Sequence, residues 1–221
     1  MTKRYEVYNS NYYLKLYKKY GICSKSLGWD KGKQFLRFDQ LTKNYILKDC
    51  SILDVGCGFG DFASYLKGKD NWMSIHYLGI DLIDDFVKVA KQSHKEKNFK
   101  FISGEFLDTI FSNNFDYIIS SGVFNLKNNL DNNYKLIETF IAKMLKHCNK
   151  TVSIDFLSDQ VDFKHNHNFH WNPPKVLKIA YKFSRNVSLS NDYFPFEFTL
   201  RINKDNSFDK NNTIFKNIHE K

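Results

Sequence analysis

No apolar run in this 221-residue chain approaches the roughly 18 residues needed to cross a bilayer, so a transmembrane helix is excluded. The opening residues Met1-Thr2-Lys3-Arg4-Tyr5-Glu6 lack the apolar core of a secretory signal, and the expected location is the cytoplasm, with no membrane partner. Cysteine is scarce. Cys23, Cys50, Cys57 and Cys148 form no CxxC pair, which argues against a cysteine-built zinc site and for free thiols in a reducing compartment. No internal repeat and no recognised RNA-binding module is present. What remains, 42% apolar and 26% charged residues, is ordinary for one globular domain with a sizeable core.

The net charge is +9, and it is unevenly spread. Residues 1–48 hold eleven Lys/Arg against three Asp/Glu, a balance of +8, so the rest of the chain is nearly neutral. A basic segment on a neutral body suggests an anionic partner: a phosphate, a carboxylate or a nucleic acid. Solvated lysines in a Lys- and Asn-rich chain explain it equally well. The lysines alternate with tyrosines over Tyr12-Tyr13-Leu14-Lys15-Leu16-Tyr17-Lys18-Lys19-Tyr20, a pattern better suited to an amphipathic helix with snorkelling lysines than to a base-stacking surface.

Periodicity places helices over 5–20 and 32–46, a cap or lid preceding the first strand. Residues 1–48 thus form a helical cap, 49–202 the main α/β domain and 203–221 a polar, fraying tail. From Ser51 the chain alternates: strands at 51–55, 75–80, 99–102, 115–119 and 151–157, and helices at 60–67, 84–93 and 131–147. Asn172-Pro173-Pro174 opens another helix. Two closing strands at 186–190 and 194–202 have no helix between them. The predicted fold is α/β: a Rossmann-like, seven-stranded, mostly parallel sheet with an antiparallel C-terminal hairpin at one edge. Ligands in such sheets sit at the carboxyl ends of the strands.

At the end of the first strand stands Asp54-Val55-Gly56-Cys57-Gly58-Phe59-Gly60. Glycines allow a sharp turn and close approach of a ligand to the main chain. Dinucleotide-binding folds use a similar loop, but a carboxylate inside it repels a pyrophosphate and attracts a ligand carrying a sulfonium and an ammonium. Asp81 ends the second strand, where a carboxylate can accept both hydroxyls of a ribose. Ser103-Gly104-Glu105-Phe106 follows the third strand and could meet an adenine edge and face.

Taken in order, Ile52 to Gly60, Leu78-Gly79-Ile80-Asp81-Leu82, Gly104-Glu105-Phe106 and Phe115-Asp116-Tyr117-Ile118-Ile119-Ser120-Ser121 resemble the four cofactor motifs of the class I S-adenosylmethionine-dependent methyltransferases, over about 50–157. The resemblance implies S-adenosylmethionine as cofactor and S-adenosylhomocysteine as product. Asp54, Gly56, Cys57 and Gly58 would face the methionine part, Asp81 with Leu82 the ribose, and Gly104, Glu105 and Phe106 the adenine, with Ser121 closing the site. Gly28-Trp29, Gln34 to Phe38, Ser121 to Asn125, and Asp192-Tyr193 with Glu197-Phe198-Thr199 also resemble a little-characterised bacterial subgroup. That subgroup commonly carries Asn where this chain has Asp155. The fourth-strand loop is not the Asn/Asp-Pro-Pro-Tyr/Phe of enzymes that methylate base amino groups or glutamine amides, which argues modestly against those acceptors.

Methyl transfer requires an acceptor lone pair aligned with the donor and, where needed, a base to take a proton. His165, His167 and His170 form HxHxxH, and a histidine is the natural base for a hydroxyl acceptor at neutral pH, with His170 the best placed by sequence; no metal is assigned to the three. Asp155 is a rival base, and Asn125 an orienting group or a simple turn residue. Trp29, Gln34, Arg37, Tyr193 and Glu197 are the candidate acceptor-binding residues, Arg37 as a carboxylate or phosphate clamp. The function expected is O-methylation of a small, anionic molecule such as a sugar or an acidic metabolite. The alternatives are a nucleic-acid methyltransferase and a non-catalytic cofactor-binding partner protein.

Overall fold

Strand β1 (Ser51–Val55) lies at the centre of the sheet, and every residue after Ser51 is buried. It pairs in parallel with β2 (His76–Asp81) on one side and β4 (Phe115–Ser120) on the other. Beyond β2 lies β3 (Phe99–Ser103); beyond β4 come β5 (Cys148–Leu157), β7 (Glu197–Asn203) and β6 (Val187–Ser190), giving the order β3-β2-β1-β4-β5-β7-β6. The chain reverses between β1 and β4, so the crevice at their carboxyl ends is the topological switch point. This computed structural model describes residues 2–28, 34–127, 133–205 and 207, with side chains from Ser10 onward.

The sheet is covered on both faces. On one side lie α2 (Gln34–Leu41), α3 (Asp61–Lys67) and α4 (Asp84–Ser93), burying Phe38, Leu41, Phe62, Leu66 and Val87 against β1 and β2. On the other lie α5 (Asn133–His147) and α6 (Pro173–Ala180), with Ile137, Phe140, Met144 and Val176 against β4, β5 and β7. In α6, Asn172 caps Lys175 N at 3.1 Å and Pro173 takes the first turn, where its missing N–H costs nothing. The first helix is α1 (Thr2–Tyr20). Its Tyr13, Leu14 and Tyr17 pack with Leu27 on a small separate cluster of Phe59, Ile83, Phe86 and Val89.

The expected elements are present, with two main differences in their bounds. The second cap helix stops at Leu41 instead of 46, because Asn44 adopts a left-handed conformation (φ 71°) that ends it; residues 32 and 33 lie outside the described ones. The last strand begins at Glu197, not 194: Glu197 N donates to Phe194 O, so Phe194 to Glu197 is a turn in which the rings of Phe194 and Phe196 stack. The final two strands form the expected antiparallel hairpin at one edge of the sheet. β7 is inserted between β5 and β6, antiparallel to both, so it alone runs against the sheet and β6 is the edge strand. An interior position explains why Glu197 through Ile202 are all buried. Among the described residues no helix is long and apolar enough to cross a membrane, and the tail from 208 to 221 lies outside them.

Candidate active site

The turn after β1 is held open by its own hydrogen bonds. Gly56 N and Cys57 N both donate to Ile80 O (2.8 and 3.1 Å), Gly58 N donates to Asp81 Oδ2 (2.8 Å) and Gly60 N to Cys57 O (2.9 Å). These amides are spent within the protein, whereas a phosphate-binding loop directs its amides at the ligand. Gly56 has φ 82°, and a Cβ there would stand 2.1 Å from Val123 Cγ2. Only glycine lets the turn lie against the loop that follows β4.

Around this turn is a cleft enclosing about 1050 Å³, open mouth included. All ten residues expected to hold the cofactor line it: Asp54, Gly56, Cys57 and Gly58 at the turn, Asp81 at the end of β2 and Leu82 just after it, Gly104, Glu105 and Phe106 after β3, and Ser121 after β4. Among the described residues four carboxylates line it, those of Asp54, Asp61, Asp81 and Glu105. Asp54 is 3% exposed and accepts a 2.7 Å hydrogen bond from Tyr77 Oη. Burial, reinforced by the charges of Asp81 and Asp61, pushes its carboxyl up to about 7 against that bond. Burial also raises Asp81 and Asp61. Asp81 Oδ1 accepts from Ile83 N at 2.9 Å, so its two oxygens are fixed by backbone amides.

Among the described residues one guanidinium lines the cleft, that of Arg37, and it is 4% exposed and already committed. It donates through Nε to Glu197 Oε2 (3.0 Å) and through Nη2 to Glu197 Oε1, and lies 3.3 Å from Asp155 Oδ2. A negative lining with its loop amides spent suits a ligand carrying a sulfonium and an ammonium, and Phe106, Phe140, Ile83 and Phe86 supply an apolar wall for a flat base. The residues present fit S-adenosylmethionine and not a pyrophosphate.

A second cavity of about 1190 Å³, again including its mouth, adjoins the first and shares Tyr13, Leu27, Arg37 and Gly122 with it. Tyr12, Tyr20 and Lys25 come from the cap, Asn125 from the loop after β4, and His165, His167 and Asn168 from the loop after β5. That last loop is pinned: Lys127 N donates to His167 O (2.8 Å), Phe169 N to Asn125 O (2.9 Å) and Trp171 N to Leu157 O (2.7 Å). The His167 ring stacks between Tyr12 (5.8 Å, 25°) and His165 (5.6 Å, 27°), and burial, then His165, lowers its pKa, so it is neutral at pH 7.

The structure divides the other expected residues. Asn125 lines the second cavity; its Oδ1 accepts from Leu157 N at 3.3 Å. Gln34 lines the first. Asp155 lines neither; it lies behind the loop after β4, accepting from Ser121 Oγ (2.6 Å) and Gly122 N (2.7 Å). Tyr193 shares a 2.8 Å hydrogen bond with Thr199 Oγ1, outside both cavities. His170 is not brought to the site: its Nδ1 lies 2.8 Å from Ser158 O, because Trp171 pairs with the end of β5 and turns the preceding ring away. Trp29 lies outside the described residues. Sequence reasoning missed Tyr13 and Leu27, which bridge the cavities, and Tyr77, the partner of Asp54. Alternation along β2 turns Tyr77 and Gly79 to the same face, but nothing in the sequence pairs Tyr77 with Asp54.

A model of a methyltransferase domain matches residues 46–183. A Mycobacterium tuberculosis protein that bears a methyltransferase name is 28% identical over 160 residues, covering 70% of this chain and 93% of that one. The malonyl-[acyl-carrier protein] O-methyltransferase of Priestia megaterium is 26% identical over 57% of this chain, which spans only 43% of that enzyme. Among solved structures, the magnesium protoporphyrin IX methyltransferase of Synechocystis with bound S-adenosylmethionine superposes with a TM-score of 0.58 at 13% identity, over 91% of this chain and 97% of that one.

Proposed function

The chain belongs to the methyltransferase domain family and is an enzyme that uses S-adenosylmethionine, and we propose that its acceptor is a hydroxyl oxygen of a small molecule held in the second cavity. The bound cofactor supplies an electrophilic methyl carbon. What this chain must supply is a place for the acceptor beside that carbon, a proton acceptor and exclusion of water.

One observation carries the reading: of the charged side chains that line the second cavity among the described residues, Arg37 and Glu197 neutralise each other, which leaves Lys25 and two imidazoles to meet the acceptor. Such a lining favours a neutral or anionic molecule, such as a sugar or an acidic metabolite, over a cationic amine. In this reading Asn125 orients the acceptor, a neutral His167 takes its proton, and Asp155 holds the loop after β4 in place through Ser121 and Gly122. Arg37 acts through the wall it forms with Glu197 instead of as a clamp. The named acceptors of the relatives, a malonyl thioester and a magnesium porphyrin, are small molecules or carrier-bound acids, in keeping with this class. The working compartment is the cytoplasm, where the four free thiols stay reduced.

The test is a transfer assay with S-adenosylmethionine carrying a labelled methyl group over hexoses, uronic acids, phenolic acids and tRNA, read by mass spectrometry. Label on a hydroxyl or carboxylate oxygen of a small acceptor is the expected result. Label confined to tRNA, with binding that weakens steeply with salt, would replace this reading with the nucleic-acid one that the basic cap suggests.

A further inference from the structure

The turn after β3 carries Glu105 and Phe106 into the cofactor cleft, yet it belongs to neither a helix nor a strand. An irregular turn keeps its shape only if its polar backbone groups find partners. From inside, Glu105 closes it: its carbonyl accepts from Thr109 N (3.0 Å) and Thr109 Oγ1 (2.7 Å), and its Oε1 from Leu107 N (3.2 Å). From outside, helix α5 reaches it. Lys143 on α5 donates from Nζ to Leu107 O (2.7 Å) and Thr109 O (2.6 Å). The same ammonium lies 5.3 Å from the ring centre of Phe106 and 5.7 Å from that of Phe111. One turn earlier on α5, Phe140 stacks on Phe106 at 5.5 Å and 26°. Helix α5 therefore holds the turn twice, by a ring and by a charge.

We propose that Lys143 is a positioning residue: it holds the turn from Gly104 to Thr109 in its base-binding shape before the cofactor arrives, and so sets both the affinity for the adenosyl group and the preference for adenine. The inference rests on the reading that this cleft takes S-adenosylmethionine. Lys143 touches no reacting atom. Its two carbonyl partners, Leu107 O and Thr109 O, lie in the same turn just after Phe106, so losing them frees Phe106 and Glu105 together, while the glycine turn after β1 and the Asp81 carboxylate stay as they are. The effect should fall on the base end of the ligand alone. Burial lowers the Lys143 pKa and the neighbouring Lys146 adds to this, while Asp108 and Glu105 oppose it; either protonation state can still donate to two carbonyls.

The test is calorimetric titration of the full chain with S-adenosylhomocysteine and with S-inosylhomocysteine, which carries hypoxanthine in place of adenine. In Lys143→Met, affinity for S-adenosylhomocysteine should fall about tenfold and the preference for adenine over hypoxanthine at least about threefold. Lys143→Arg, which keeps donors within reach of both carbonyls, should stay within about threefold of wild type. An equal loss for both ligands would mark Lys143 as merely structural and overturn the proposal, as would unchanged affinity. If the methionine variant does not fold, hydrogen exchange on the unliganded wild-type protein decides. Protected amides at Leu107 and Thr109 support the proposal, and amides protected only after S-adenosylhomocysteine is added overturn it. A wild-type protein that does not bind S-adenosylhomocysteine removes the cofactor reading itself, and this inference with it; failure to find an acceptor touches neither.

Discussion

Tyr77 Oη donates a 2.7 Å hydrogen bond to Asp54 Oδ2, joining two buried side chains on adjacent parallel strands directly beneath the glycine turn. The bond is what keeps a nearly inaccessible carboxyl usable. Burial and three neighbouring carboxylates, those of Asp81, Asp61 and Asp155, favour its neutral form, and the phenol opposes them, leaving its pKa at about 7. At physiological pH the group is poised between the two states, and a cation in the cleft would draw it to the charged one.

Asp54→Asn should stabilise the unliganded protein while abolishing cofactor binding. A carboxyl whose pKa rises from 3.8 unfolded to about 7 folded binds its extra proton in the native state. Stability therefore falls as pH rises from about 4 to about 7, then levels off. At 1.36 kcal/mol per unit this costs on the order of 4 kcal/mol at pH 8, so the amide variant should melt at least about 5 °C higher there and gain nothing below pH 4. Thermal melts across pH check the first half and titration with S-adenosylhomocysteine the second. A variant less stable than wild type at pH 8 would contradict the account.

Tyr77→Phe removes the one hydrogen bond that favours the Asp54 carboxylate, so the carboxyl pKa should rise above 7. Affinity for S-adenosylhomocysteine at pH 7 should drop about tenfold and recover as pH approaches 9, a shift in the midpoint of its pH profile and not a uniform loss. A parallel, pH-independent decrease would mean that the phenol serves packing alone.

Gly56→Ala meets two obstacles at once: a positive φ that disfavours any Cβ, and a Val123 methyl 2.1 Å from where that Cβ would sit. Destabilisation of about 2–3 kcal/mol is expected, with loss of cofactor affinity, since the turn and the loop after β4 must part. Adding Val123→Ala should return part of the stability by removing the clash but none of the cost of the backbone angle. Full recovery in the double variant would show that φ is not a constraint.

Arg37→Met leaves Glu197 and Asp155, both 1% exposed, without their cation. Breaking a buried ion group from one side costs about 3–5 kcal/mol. The loss should appear as a lower denaturant midpoint for the variant at pH 8. If instead the variant folds as well as wild type at pH 8 and loses only affinity for an anionic acceptor, Arg37 is the clamp that its place in the sequence suggested.

The first cleft was legible because it is built from consecutive residues at strand ends: the alternation of strands and helices brings Asp54, Asp81 and Phe106 to one cleft, and the carboxylate in the glycine turn gives that cleft part of its negative lining. The acceptor side was not. Arg37 and Glu197 are 160 positions apart, and only the insertion of β7 beside β5 brings Glu197 and Asp155 to one guanidinium. Likewise the HxHxxH spacing says nothing about which ring faces the cavity. The two bridges Leu126 to Asn168 and Ser158 to Trp171 decide it, by fixing the loop at both ends.

That loop yields the comparison on which the acceptor reading turns. His167 lines the cavity next to the cofactor cleft and is kept neutral by burial, whereas the Nδ1 of His170 is engaged with Ser158 O. With the acceptor returned by the transfer screen, His167→Gln should lower kcat by about 10²-fold or more, the usual contribution of a positioned base. KM should change little, because a glutamine keeps a polar group at the cavity wall. Since the wild-type base works only when unprotonated, the wild-type rate should fall on the acid side, at a pH lower than an ordinary histidine would give, and that acid limb should be missing in the variant. His170→Gln should cost less than about threefold. The opposite ranking would return the base to His170 and require the loop to turn over when the acceptor binds. Equal, small losses in both would mean that the acceptor reaches the methyl group already deprotonated, as a carboxylate does, and would identify an acid rather than a sugar as the substrate.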